Sequence, residues 1–290
     1  MQSPEKPPLA VIAGPTASGK SALALAWAER ANGVIINADA SQVYADLHIL
    51  SARPSPADES QAPHRLYGII DGSEACTAPR WAALAKAEIA AAHAAGQLPI
   101  LVGGSGLYLR TLLDGIAPVP EIEAEVRDTV RALSAPDLHA ALAQEDPAMA
   151  ARLAPTDTQR LARALEVIRA TSRSLADWQQ ELAGGIGDTV ELDARVVEID
   201  RIELHRRCNA RFDAMVATGA LDEAAALAAR DLSPDIPVLK ALGVPPLIEH
   251  LRGTLSLAEA IEAAKAQTRQ YAKRQSTWFR NQTASWPRLF

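Results

Sequence analysis

One octapeptide constrains this chain more than anything else in it. Gly14-Pro15-Thr16-Ala17-Ser18-Gly19-Lys20-Ser21 places four residues between a glycine and a Gly-Lys-Ser triplet, the spacing of a phosphate-binding loop. It follows the apolar run Leu9 to Ala13 and precedes alanines and leucines at helical spacing from Ser21 to Ala31. A strand before and a helix after are what the chemistry requires. The N–H groups of the loop and of the helix N-terminus together form a nest for an anion. Lys20 adds a fixed positive charge, and the Ser21 hydroxyl can hold Mg²⁺ between phosphate oxygens. Such a loop names the group that is bound, a di- or triphosphate, and not the reaction. Phosphoryl transfer from a nucleotide such as ATP and transfer of a carbon group with loss of diphosphate both stay open.

The surrounding pattern sets the fold class. Gly33 to Asn37 and Leu98 to Val102 are further short apolar runs, separated by an alanine-rich helical stretch, Trp81 to Ala95. Strands alternating with helices predict an α/β fold whose core is a parallel sheet of the P-loop NTPase kind. Ligands in such sheets bind at the carboxyl ends of the strands. After Pro118-Val119-Pro120 the pattern becomes helical as far as Glu181, and Gly184-Gly185-Ile186-Gly187 closes it before a returning strand, Ala194 to Ile199. The chain is therefore read as a core (1–117), a helical insertion domain (118–193) and a second core segment (194–290) ending in basic helices.

Bulk properties exclude several classes. With 48% hydrophobic and 22% charged residues in 290, broad disorder is not expected. A formal charge of −6 argues against a protein that coats nucleic acid non-specifically, though not against a local basic surface. Met1 to Pro8 has no apolar segment of signal-peptide length, and no uninterrupted apolar stretch is long enough to span a bilayer. Cys76 and Cys208 stand far apart, which reads as two structural thiols in a reducing compartment. A cytoplasmic protein with no membrane partner is expected. The six histidines form no ligand spacing and are read as surface or satisfied core residues.

Two more strand exits carry candidate chemistry. Asp39, in Asn37-Ala38-Asp39-Ala40-Ser41-Gln42-Val43-Tyr44, can be a Mg²⁺ ligand or a general base facing the phosphate loop. Gln42 and Tyr44 add a donor and a stacking face suited to a nucleobase. Gly103-Gly104-Ser105-Gly106 lets the backbone approach a ligand and sets a hydroxyl at the same rim.

Taken together, these segments resemble the tRNA dimethylallyltransferase (isopentenyltransferase) family. The resemblance is carried, in order, by residues 14–21, 37–44, Pro63-His64-Arg65-Leu66, 102–108, Gln159 to Val167, Leu204-His205-Arg206-Arg207 running on to Arg211-Phe212, and Arg269 to Arg280. It implies transfer of a dimethylallyl group from dimethylallyl diphosphate to the N6 amine of the adenosine 3′-adjacent to the anticodon of tRNA (position 37). By position in the motifs, Asp39 would be the general base, with Ser105 and Arg211 as the other catalytic residues and Arg211 a cation on the diphosphate. Gly14, Pro15, Thr16, Ala17, Ser18, Gly19, Lys20 and Ser21 would hold the donor, with Ser21 on Mg²⁺. Asp39, Ala40, Ser41, Gln42, Ser105, Arg127, Gln159, Arg160, Leu161, Ala162 and Arg163 would contact the anticodon stem-loop. Departures from the family pattern are Ser105 where threonine is usual, Leu50-Ser51-Ala52-Arg53-Pro54 in place of Gly-Thr-Ala-Lys-Pro, and Thr171-Ser172 in place of Thr-Gly.

The C-terminal segment is the basic part of an acidic chain. Residues 263–290 contain Lys265, Arg269, Lys273, Arg274, Arg280 and Arg288 and no carboxylate side chain. Lys265, Arg269 and Lys273 recur every four residues, a stripe along one helix face that predicts contacts with an RNA backbone. Lys273 and Arg274 are the candidates carried from it to the tRNA-binding set. The size of such an acceptor makes a monomer the expected state.

Overall fold

The computed structural model describes residues 6–290; the first five residues of the expected first core segment lie outside the described residues. Strand β1 (Pro8–Ala13) runs through the phosphate loop into helix α1 (Lys20–Ala31) and returns as β2 (Gly33–Asn37). A long excursion carries α2 (Pro56–Gln61) and β3 (His64–Arg65) before α3 (Ala78–Ala94), β4 (Leu98–Gly103) and α4 (Gly106–Leu113). The chain then enters a segment with β5 (Gly115–Ile116), α5 (Ala124–Arg131), α6 (Ala135–Glu145), α7 (Pro147–Ala150), α8 (Thr158–Thr171), α9 (Leu175–Trp178) and β6 (Ala183–Gly184). It comes back through β7 (Glu191–Val197) into α10 (Arg201–Ala217), α11 (Ala220–Ala228), α12 (Val244–Leu251) and α13 (Leu257–Gln282), and ends in β8 (Arg288–Leu289).

Six strands form one sheet in the order β3-β2-β4-β1-β7-β8, with every neighbouring pair parallel. The central strands are apolar on both faces because helices cover both; β2 is buried at all five positions, and β1 and β4 at five of six each. Register decides what this means for function. Ala13 pairs with Gly103, and Asn37 with Val102. The turns after β1, β2 and β4 therefore emerge side by side at one carboxyl edge of the sheet.

The chain divides into two compact units, 1–113 with 187–290, and 114–186. The sequence placed the change at 118 and the return at 194. The return falls earlier because Glu191 to Asp193 already pair with Pro8 to Ala10 of β1, while Gly187 sits 3.0 Å, measured from a Cβ built on it, from the Leu113 carbonyl. Within the smaller unit, β5 and β6 form a two-stranded antiparallel ribbon. Val130, Leu138, Leu142, Met149, Leu161 and Leu165 make its core. Four of its helices, α6 to α9, start where short polar side chains accept a backbone N–H, at Ser134, Asp146, Asp157 and Ser174.

Candidate functional site

The phosphate loop is shaped by two left-handed residues, Ala17 (φ 62°) and Gly19 (φ 95°), which turn the backbone into the start of α1. Lys20 lies across the loop, with Nζ donating to the Pro15 carbonyl at 3.3 Å. Burial, opposed by nearby Asp39 and reinforced by Arg211, lowers its pKa to about 8. Arg211 reaches the loop from α10 and donates to Thr16 Oγ1 at 3.3 Å. Burial also lowers the Arg211 guanidinium below its ordinary value. One turn earlier on α10, Arg207 approaches Gly19, 3.7 Å from a Cβ built there, while its Nε donates to Glu203 at 2.7 Å. Two cations that sequence reasoning left uneven thus flank one loop. The Ser18 hydroxyl is buried with no hydrogen-bond partner among the described residues.

Asp39 sits in a turn built around Asn37. The fully buried Asn37 side chain accepts from Asp39 N–H at 2.8 Å and donates to the carbonyls of Asp39 and Leu66 at 3.1 and 3.0 Å. The Asn37 carbonyl in turn accepts from Trp81 Nε1 at 2.9 Å. This frame aims the carboxylate. Asp39 Oδ1 accepts from the Ser41 N–H and hydroxyl at 3.0 and 2.7 Å, and no hydrogen bond to Oδ2 occurs among the described residues. Gln42 closes the turn from the far side by donating to the carbonyls of Ser51 and Ala52 at 2.9 and 2.8 Å.

Thr16, Lys20, Ser21, Asp39, Gln42 and Arg211 line one cavity of about 270 Å³, whose wall is completed by Leu50 to Ala52, Phe212, Met215 and Tyr271. A cation-rich phosphate cradle therefore faces a carboxylate across a small, partly apolar space. A second cavity, about 180 Å³, shares Ser21, Gln42, Ala52 and Arg211 with the first.

Not every expected residue lies on that wall. Ser105 does not line the cavity; it caps α4, is buried, and accepts the Ala40 N–H at 2.9 Å. Tyr44, expected to offer a stacking face, is buried, its hydroxyl accepting from Cys76 N–H at 3.2 Å. It anchors the loop and cannot stack on a base. In the smaller unit Arg160 and Arg163 are exposed, paired with Asp157 and Glu166, Gln159 is exposed, and Ala162 and Arg127 are half-buried. Leu161 is 0% exposed inside that unit's core, so its side chain holds α8 in place and does not face a partner. The expected stripe on α13 also divides. Lys265 is only 12% exposed and bridges Asp213 at 2.7 Å, and Arg269 donates to Asn209 at 2.6 Å. Both tie α13 to α10, whereas Lys273 and Arg274 are exposed.

Two residues missed from the sequence hold the cavity wall. Glu223 on α11 accepts the N–H groups of His48, Ile49 and Leu50 at 2.6, 2.9 and 2.7 Å. Arg230, just past the end of α11, pairs with Asp46 and with Asp71, holding the Asp71 carboxyl well below the usual range. Neither stands in a motif, and no local pattern could have marked them.

The model of the family described as IPP transferase matches residues 42–282. A tRNA dimethylallyltransferase of Sphingopyxis alaskensis is 60% identical over 97% of this chain and 92% of its own length, and that of Zymomonas mobilis is 54% identical over 100% and 93%. Among solved structures, a full-length tRNA isopentenylpyrophosphate transferase from Bacillus halodurans superposes with a TM-score of 0.72 at 33% identity, covering 98% of this chain and 90% of the other. A eukaryotic dimethylallyltransferase acting on tRNA gives 0.79 at 28% identity, over 94% and 70%. With the match running from the Asp39 turn's Gln42 to the end of α13, and with near-complete relatives on both measures, the chain belongs to the IPP transferase family.

Proposed function

We propose that this chain transfers the dimethylallyl group of dimethylallyl diphosphate to the N6 amine of the adenosine next to the anticodon of tRNA, at position 37, releasing diphosphate. The observation that carries the reading is the single cavity in which Lys20 and Arg211 face Asp39, in a chain of this family. An exocyclic adenine amine is a weak nucleophile, so the barrier is lowered mainly by drawing charge onto the leaving group and by placing the amine beside the allylic carbon. The N6–C bond forms as the C–O bond breaks, and diphosphate departs with the electron pair. Lys20, Arg211 and the loop N–H groups receive that charge. Asp39, with Oδ1 held by Ser41, takes the proton lost from nitrogen. The adenine leaves its stack to reach the cavity.

Mg²⁺ fits the donor set. The exposed Ser21 hydroxyl opens on the cavity, and no cluster of three or more His, Cys, Asp or Glu able to cage a metal occurs among the described residues. Ser21 would help to hold such a hard cation, which would supply neutralisation of phosphate charge. Phosphoryl transfer from ATP would use the same loop, but it leaves the family relationship without a role. No described helix is long and apolar enough to cross a membrane, and in this reading the chain works as a cytoplasmic monomer. The test is incubation with unmodified tRNA, labelled dimethylallyl diphosphate and Mg²⁺. Label in the RNA at the adenosine beside the anticodon supports the reading; unlabelled RNA together with phosphate transfer from ATP overturns it.

A further inference from the structure

The phosphate loop and the turn after β4 are joined by a single buried side chain from the far end of the chain. Gln275 of α13 is 5% exposed. Its Oε1 accepts the Thr16 N–H at 2.8 Å, and its Nε2 donates to the Gly104 carbonyl at 2.9 Å. The partners fix the orientation of the amide, because the Thr16 N–H can only donate and the Gly104 carbonyl can only accept. Gly104 is where a side chain would collide with it: a Cβ built there overlaps Nε2 and lies 3.0 Å from the Gly14 carbonyl. From Gly104 the connection continues to Ser105, whose hydroxyl accepts the Ala40 N–H at 2.9 Å, and Ala40 follows Asp39.

We infer that Gln275 is a positioning residue that sets the diphosphate cradle at a fixed distance from the Asp39 turn. Only a side chain that donates and accepts at once can do this. Methionine, of similar length, leaves the Thr16 N–H and the Gly104 carbonyl without partners. Glutamate can accept from Thr16 but faces the Gly104 carbonyl with an oxygen unless it is protonated. A protonated carboxyl restores both bonds; burial and the Gly104 carbonyl favour that form, opposed by the Thr16 N–H and by Arg211 and Lys20 at the same loop, so the balance between the two forms shifts with pH. The substitution Q275E therefore converts a geometric role into a pH profile.

The inference rests on the proposed reading for its transfer assay, so binding of inorganic diphosphate in Mg²⁺ buffer is measured beside it by calorimetry. Each value is taken as a ratio to the unsubstituted chain at the same pH. For Q275E the expected result is diphosphate affinity and donor KM at least about tenfold worse at pH 8 and within about threefold at pH 6, with KM for tRNA unchanged; tenfold corresponds to about 1.4 kcal/mol, the scale of one net hydrogen bond. Q275M is expected to be impaired equally at both pH values. Ratios that do not change with pH in Q275E, or diphosphate affinity unchanged in both variants, overturn the inference. If Q275E does not melt cooperatively, a folded Q275M with weakened diphosphate binding sustains it; failure of both to fold makes Gln275 a folding residue and overturns it. Absence of transfer by the unsubstituted chain would instead sink the proposed function, leaving the diphosphate ratios to decide on Gln275.

Discussion

The two walls of the cavity are built by different means. The phosphate wall is local: eight consecutive residues, a left-handed glycine and a helix start produce most of it, with Arg207, Arg211 and Gln275 reaching it from elsewhere. The facing wall, from Asp39 to Ala52, has no regular element of its own and is held from outside. Asn37 and Trp81 fix its start, Gln42 crosses it, and Glu223 and Arg230 grip it from more than 150 residues away. A wall that must bind an invariant diphosphate can be made of backbone. A wall that must admit and orient a base is better made of a loop whose shape is set by side chains from another part of the fold.

If the walls divide the labour in this way, substitutions on each should fail differently. The largest effect is expected from D39N, which keeps an acceptor for the Ser41 N–H but removes the carboxylate proposed as the base. Turnover should fall by about 10²- to 10⁴-fold with tRNA affinity within about twofold. A large loss of affinity at unchanged turnover would make Asp39 a binding residue and erase the distinction between walls.

The phosphate wall should show itself in pH dependence. Lys20 has its pKa lowered to about 8 by burial in the free chain, and a bound diphosphate must favour its charged form and raise that pKa. Donor affinity is then fully present below pH 8 and falls by about tenfold per pH unit above it, until the raised pKa of the complex is reached. Measuring donor KM from pH 6.5 to 9.5 checks this. K20R should abolish the break near pH 8; a break that persists in K20R belongs to another group.

For the facing wall, E223A frees three N–H groups of residues 48–50. Losing the order of about one charge-assisted hydrogen bond, ~1.5 kcal/mol, lowers kcat/KM about tenfold. Diphosphate binding, which uses the other wall, should not move. Equal loss in inorganic diphosphate affinity would show that the walls are one mechanical unit.

What could be read in advance follows the same division. The strands from Leu9, Gly33 and Leu98 and the phosphate loop are encoded within runs of a few residues, so apolar continuity and glycine spacing reveal them. Asp39 was singled out by its place just past an apolar strand, and it lines the cavity, although its Oδ1 also has the turn-capping duty common at strand exits. Glu223 and Arg230 were not singled out, since their partners are backbone groups and carboxylates chosen by tertiary packing. Tyr44 and Leu161 have their side chains turned inward for a related reason: the sequence shows what a side chain can do, while burial decides whether it faces outward. Lys265 and Arg269 kept the predicted helical period, yet α10 presents Asp213 and Asn209 to that face, so two of the three charges in the stripe are engaged by a neighbouring helix.

That split in α13 gives the smallest and most discriminating prediction. Lys273 and Arg274 are exposed, Arg274 lying over Tyr271 with its guanidinium carbon 5.6 Å from the ring centre, and both remain available to phosphates. Replacing the pair with alanine should weaken tRNA binding only a few-fold at moderate salt. It should also flatten the slope of log affinity against log salt by up to about one unit for each phosphate no longer neutralised. K265A is the control from the same helix. It should lower thermal stability, because Asp213 and Glu262 lose their partner, and leave the salt slope where it was. Identical slopes in the double variant and the unsubstituted chain would mean that neither Lys273 nor Arg274 neutralises an RNA phosphate, and that electrostatic attraction to tRNA arises from other residues.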